Sequence, residues 1–245
     1  MYAKLKKKYG QNFLIDNNIT DKIISLIEDN NLNILEIGPG DGKLTNKIII
    51  KEPKNLDLVE IDRELVNELN NKFCNYKFIN IINENILKHN LNENYDLVIS
   101  NLPYNISSQI LIKLTLMNVI PKELILMFQK EFALKLLENK LNSINSIVNC
   151  FYNISLKFHV SKNSFRPIPK VDSSVLKFKK LDTSLLKKNE VEKFIFFKRY
   201  LFSHKRKSLK NLLKNYKLSE VYNLDRRAEK LKLEELIKIF RDINL

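Results

Sequence analysis

Residues 33–45, NILEIGPGDGKLT, pass from an apolar run through three glycines in five positions into the start of an amphipathic helix. Gly38, Gly40 and Gly42 are three of only four glycines in 245 residues. So scarce a residue, so placed, marks backbone that must turn sharply and lie against a ligand. Glu60 closes the next apolar run, LDLVEI (56–61), where a carboxylate can accept hydrogen bonds from both hydroxyls of a ribose. Asp62, two residues on, either competes for that role or caps the next helix. Lys43 stands where the dinucleotide fingerprint needs its third Gly or Ala, and no Gly-Lys-Ser/Thr completes a P-loop. NAD is therefore disfavoured; the combination specifies a nucleoside-bearing cofactor without saying which.

On either side of this stretch the apolar runs YKFINII (76–82), YDLVIS (95–100) and ELILMF (123–128) read as short strands buried on both faces. Amphipathic stretches at 17–30, 42–51, 63–73, 107–117 and 129–140 read as helices, and the β-α-β-α order predicts a doubly wound, mostly parallel sheet. FYNISLKFHV (151–160) and SSVLKFKKL (173–181) follow in close succession around Pro167 and Pro169, and predict an antiparallel edge that brings the sheet to seven strands. From about 183 the pattern is helical only, at 187–201, 205–215 and 231–240. The expected organisation is an α/β domain over 1–182 and a small all-helical domain over 183–245.

The chain carries 42 Lys+Arg against 28 Asp+Glu, a formal charge of +14, and 17 of those basic residues face only 8 acidic ones within 183–245. Such an excess in a foldable sequence points to a polyanionic partner. Eight basic residues and no acidic one fall between Lys198 and Lys217: Lys198, Arg199, Lys205, Arg206, Lys207, Lys210, Lys214 and Lys217. A helix through 205–215 would set Arg206, Lys210, Lys214 and Lys217 along one side, as a phosphate-binding face or simply a solvated one. Lys4, Lys6, Lys7 and Lys8 form a second candidate patch. Cys74 and Cys150 are the only cysteines, and His89, His159 and His204 share no ligand spacing. This excludes a disulfide framework and predicts no metal site. With no apolar leader and no run approaching 18 apolar residues, the expectation is a cytoplasmic, unanchored protein.

The fourth strand ends in SNLPYNIS (100–107), at the sheet edge where open α/β folds place ligands. Asn101 offers a side-chain carbonyl, Leu102 a backbone carbonyl and Tyr104 a flat ring, a set suited to a planar base bearing an exocyclic amine. Such an amine is a poor nucleophile because its lone pair is delocalised into the ring. Two acceptors on its N–H groups draw it toward a tetrahedral nitrogen, and positioning then carries the rate. The same four residues could instead form an ordinary strand-to-loop turn.

KYGQNFL (8–14), EIGPGDGKLT (36–45), NLPYNIS (101–107), MFQKEFALKLL (127–137) and FRPIPKVDSSV (165–175), in this order, resemble the KsgA/RsmA family of small-subunit rRNA adenine dimethyltransferases. HKRKSLKNLLK (204–214) resembles the C-terminal helical segment of that family, so the likeness spans nearly the whole chain. The resemblance implies a Rossmann-like class I methyltransferase fold, S-adenosylmethionine as methyl donor, and N6 of two adjacent adenosines near the 3′ end of small-subunit rRNA as target. It implies a monomer acting on a pre-ribosomal small subunit. Carried over by motif, Gln11, Asn12 and Leu14 close over the cofactor, Gly38 approaches its methionine part with Gly40 beside it in the cofactor-binding turn, and Glu60 takes the ribose. The family usually has Asp to hold the cofactor's adenine amine, where this chain has Asn85, next to Glu84. Asn101 bridges cofactor and target amine with Leu102. Phe165 faces Tyr104 across the target base, although a Phe before Arg-Pro also suits a core or loop anchor. A large-subunit rRNA methylase, or a ribosome-assembly factor that keeps the fold without turnover, are the alternatives.

Overall fold

The computed structural model describes residues 11–91, 93–219 and 222–243. Gly10 and the Lys4–Lys8 cluster lie outside them. The chain forms two compact units, one of Met1–Leu134 with Ile154–Lys180, the other of Lys135–Asn153 with Leu181–Leu245. In chain order the first contains β1 (Phe13–Leu14), α1 (Asn17–Ile24), β2 (Asn33–Ile37), α2 (Lys43–Ile48), β3 (Asn55–Glu60), α3 (Arg63–Phe73), β4 (Ile79–Asn83), β5 (Leu97–Asn101), α4 (Ser107–Thr115), β6 (Glu123–Gln129) and the start of α5 (Lys130–Leu137). It then takes in most of β7 (Tyr152–Val160), β8 (Phe165–Arg166) and β9 (Ser173–Lys180).

The main sheet has seven strands in the order β4-β3-β2-β5-β6-β9-β7. β4 through β6 run parallel, and β9 lies antiparallel on β6 with Gln129 opposite Ser173. This is the class I methyltransferase architecture that the resemblance implies, with α2, α3 and α4 closing the β2–β3, β3–β4 and β5–β6 crossovers, since parallel neighbours cannot be joined by a hairpin. Strand order reverses between β3 and β5 around β2, and ligands bind at the carboxyl ends beside such a switch point. Ile34, Leu35, Ile37, Val98 and Ile99 are almost fully buried, which is why their strands read as unbroken apolar runs. β9 is tied down by Lys177, 1% exposed, whose ammonium pairs with Glu28 at 2.8 Å and Glu123 at 2.9 Å and donates to the Leu26 carbonyl. A buried ammonium is tolerable only when paired in this way.

That last bond explains a difference from the predicted 17–30 helix. α1 stops at Ile24; Leu26 and Ile27 make tight turns onto Ile23 and Ile24, and the Leu26 carbonyl is taken by Lys177 rather than by a later N–H of the helix.

The second unit holds α6 (Asn145–Val148), α7 (Val191–Ser203), α8 (Leu209–Leu212) and α9 (Leu233–Ile243). Phe194 and Phe197 of α7 pack on Phe240 of α9, with ring centroids 5.2 and 5.6 Å apart. Residues 135–153, within the span expected to belong to the first domain, group here. The fully buried Asn145 amide gathers the carbonyls of Lys135, Glu138 and Lys140, which folds this segment on itself. The predicted helix over 205–215 shrinks to α8, because the N–H groups of Leu209 and Lys210 are spent on the carbonyls of Arg226 and Leu224. No helix among the described residues is long and apolar enough to cross a membrane.

Candidate active site

The glycine turn after β2 is left-handed at Gly38 (φ 65°) and Gly40 (φ 61°), a conformation that excludes a Cβ at little cost only for glycine. A Cβ on Gly38 would meet nothing within 4 Å, whereas one on Gly40 would strike the Phe13 ring at 2.8 Å. Gly38 thus leaves ligand space open, and Gly40 lets the N-terminal segment lie on the turn. Several ties hold that segment there. β1 pairs with β8, Leu14 opposite Phe165. Asp16 caps α1 through the Asn18 N–H and accepts the Ser164 hydroxyl at 3.1 Å. The Lys43 ammonium donates to the Ile15 carbonyl. Gln11 Nε2 donates to Asp62 at 3.1 Å.

Beneath the segment lies an open cleft at the carboxyl ends of the central strands. Gln11, Asn12, Leu14, Gly38, Gly40, Glu60, Asn85 and Asn101 all line it. All eight residues expected to bind the cofactor therefore share one cavity. Glu60 is 5% exposed; one carboxylate oxygen accepts the Asp62 N–H at 2.9 Å and the other the Gly40 N–H at 3.3 Å. Burial raises its pKa, while those N–H groups oppose the rise. Asp62 instead caps α3 through the Glu64 N–H, which settles the choice of carboxylate facing the cleft in favour of Glu60. Replacing Glu60 with Ala removes a charged acceptor worth about 1.5–3 kcal/mol, so cofactor affinity should fall roughly 10- to 150-fold by calorimetry. Unchanged affinity would remove Glu60 from the site.

Asn85 also serves the backbone. Its Oδ1 accepts the Leu87 N–H at 2.9 Å, and its carbonyl takes the N–H groups of Lys88 and His89. An amide oxygen has a second lone pair, so capping this turn is compatible with accepting an amine. Neighbouring Glu84 also lines the cleft and meets His89 Nδ1 at 2.5 Å.

Among the cleft residues that escaped the sequence reading are Glu36, Lys43 and Phe13. Glu36, 2% exposed, has its pKa pushed up to about 8 by burial and takes the Thr45 hydroxyl at 2.6 Å. A carboxylate inside the apolar run two residues before Gly38 was the available signal. Lys43 and Phe13 gave no local signal, because their partners lie 28 residues away in sequence and 27 residues away respectively.

At the end of β5, Asn101 Nδ2 donates to the Asn12 carbonyl at 2.9 Å. This fixes the amide rotation and leaves Oδ1 as the acceptor. Leu102 also lines the cleft. Tyr104 does not; its hydroxyl is anchored to Ser173 Oγ at 2.7 Å, with its pKa raised by burial. Phe165 differs from the expectation that it faces Tyr104 across a base. Its pairing with β1 turns the ring into the apolar cluster with Leu14, Ile24, Val160 and Val175, where it is fully buried.

In the helical unit, Lys198 is likewise removed from the expected phosphate-binding set. It is 4% exposed and donates to the Ser143 carbonyl and hydroxyl, and burial pushes its pKa down to about 8. Arg199, Lys205, Arg206, Lys207, Lys210, Lys214 and Lys217 are exposed, but no continuous helix aligns them. No cluster of three or more metal-ligating side chains exists among the described residues.

A family model described as ribosomal RNA adenine dimethylase matches residues 2–244. The chain is 40% identical to a ribosomal RNA small subunit methyltransferase A of Mycoplasmopsis pulmonis, over 98% of this chain and 99% of that protein. A protein of the same description from Malacoplasma penetrans is 41% identical over 89% of this chain and 82% of its own. Among solved structures, a dimethyladenosine transferase from Plasmodium falciparum superposes with a TM-score of 0.83 at 25% identity, covering 95% of this chain and 97% of that one. The 23S rRNA methyltransferase ErmE shares the fold, at a TM-score of 0.76 and 21% identity over 95% of this chain and all of that one. An open glycine turn, a buried carboxylate and an oriented Asn101 amide in one cleft fit S-adenosylmethionine, and with a family model spanning almost every residue the chain belongs to the ribosomal RNA adenine dimethylases, in their KsgA/RsmA small-subunit branch.

Proposed function

We infer that this protein transfers methyl groups from S-adenosylmethionine to N6 of two adjacent adenosines near the 3′ end of small-subunit rRNA, giving dimethyladenosines during ribosome assembly. One observation carries the reading: Asn101, pinned by the Asn12 carbonyl, keeps its amide oxygen as an acceptor in the cofactor cleft. When bound, the cofactor supplies an electrophilic methyl group on a sulfonium centre. Glu60 and the glycine turn fix its nucleoside and methionine ends. Asn101 Oδ1 and the Leu102 carbonyl accept the two N–H bonds of the target amine and orient its lone pair, and the ring of Tyr104, held by Ser173, flanks the base. The methylated nitrogen is acidic enough to release its proton to solvent, so no dedicated base is needed; orientation of this kind is worth about 7–11 kcal/mol in well-placed systems.

The methyltransferase role belongs to the domain over 1–182 and rRNA binding to the basic helical domain over 183–245, where seven exposed cations between Arg199 and Lys217 support it. In the same reading the protein acts as a monomer on a pre-ribosomal small subunit. It works in the cytoplasm, where its free Cys74 and Cys150 remain reduced.

The test uses purified protein, methyl-labelled cofactor and unmodified ribosomal subunits, followed by mapping of the modified bases. Label on two neighbouring adenosines of the small subunit is expected. Label on the large subunit, or none on either, would overturn the assignment.

A further inference from the structure

Outside the cleft, Lys130, Glu131, Leu134, Lys162, Lys170 and Asp172 line an open groove. Several other lysines of the same unit are engaged: Lys47 pairs with Asp21, Lys122 with Asp96, Lys177 and Lys179 with Glu28 and Glu123, and Lys113 donates to backbone carbonyls. The ammonium groups of Lys130, Lys162 and Lys170 meet no hydrogen-bond or ion-pair partner among the described residues. Asp172 brings two of them together through the backbone. Its carboxylate accepts the Lys162 N–H at 3.0 Å and its carbonyl accepts the Lys130 N–H at 3.0 Å. The carboxylate is thus spent on main chain rather than on a lysine head group.

The groove also has a fixed relation to the chemistry. Asp172 immediately precedes Ser173, whose hydroxyl holds Tyr104, and Ser173 lies opposite Gln129, the residue before Lys130. Lys130 follows Gln129, Lys170 lies two residues before Asp172, and Lys162 is held to the Asp172 carboxylate, so all three cations sit close along the chain or by hydrogen bond to the strand pair that anchors Tyr104. Lys130 also opens α5, whose N-terminal end favours negative charge.

We propose that this groove is a phosphate-binding site for the single-stranded RNA that carries the target adenosines, with Lys130, Lys162 and Lys170 gripping the backbone beside the base presented to Tyr104 and Asn101. The proposal rests on the rRNA reading above. Unpaired cations around a concavity suit a phosphate better than a carboxylate-bearing peptide, because each Lys is a point charge with three donors and a strand brings a phosphate at every nucleotide. The groove adds backbone grip that is independent of the helical unit.

The experiment compares wild type with the triple variants K130Q/K162Q/K170Q and K130R/K162R/K170R, using unmodified small subunits as the probe and titrating binding across salt concentrations. Removing three phosphate contacts to a single strand should lower the slope of log affinity against log salt by about 2. The KM for subunits should rise, cofactor affinity by calorimetry should stay at the wild-type value, and the arginine variant should keep the wild-type slope. A glutamine variant with wild-type salt slope and KM would overturn the proposal. So would equal loss in both variants, or binding to acidic peptides in place of RNA. Failure of the wild type itself to methylate small subunits would instead refute the functional reading, so the two failures are separable.

Discussion

Asn101→Ala should lower methyl transfer by at least about 10²–10³-fold while leaving most of the cofactor affinity in place. The size follows from losing one oriented polar group aimed at a reacting atom. The direction follows from geometry: Asn101 contributes a single acceptor to the cleft, whereas Gly38, Gly40, Glu60 and Asn85 line it from other elements. Because the Asn101 amide also satisfies the Asn12 carbonyl, Asn101→Asp serves as the companion variant. It retains an acceptor and loses the donor that fixes its rotation, so its activity should fall between wild type and the Ala variant. Single-turnover rates and calorimetry on the same preparations give the comparison. Near-normal turnover in Asn101→Ala would remove the residue from the reaction.

Phe165→Ala should destabilise the protein by about 3–5 kcal/mol, seen as a lower denaturant midpoint with little change in slope. The ring is fully buried against Leu14, Ile24, Val160 and Val175, and its strand pairs with β1, so truncation opens a cavity beneath the segment that covers the cofactor. Against a typical total stability of about 5–15 kcal/mol this is a large fraction. Phe165→Leu should recover most of the loss by refilling the space. A Phe165→Ala protein that unfolds like wild type yet fails to turn over would place the ring on the target base instead of in the core.

The strands of the main sheet were readable to within about three residues, because a parallel sheet covered on both faces demands continuous apolar runs such as NILEI and ELILMF. Helix ends were less legible. α1 and α8 stop where the backbone bonds to distant groups, Lys177 for one and the Leu224–Arg226 carbonyls for the other. Local propensity carries no trace of such partners.

In the site, the glycine turn, Glu60 and NLPY each sit at or just after the carboxyl end of a strand, so their convergence follows from strand order alone. Their chemistry was legible because each uses few residues close together in the chain. What no local pattern contained is the pairing of Leu14 with Phe165 across about 150 residues, the Lys43 tie to Ile15, and the rotation of the Asn101 amide. The amino-acid order thus settles the α/β class, a nucleoside-bearing cofactor and the basic character of the tail, since these depend on periodicity, spacing and charge. Which side chains are free to meet a ligand came only with packing: Phe165 and Lys198 carry the residue types of a site but are buried, and burial is a property of the neighbours that long-range contacts supply.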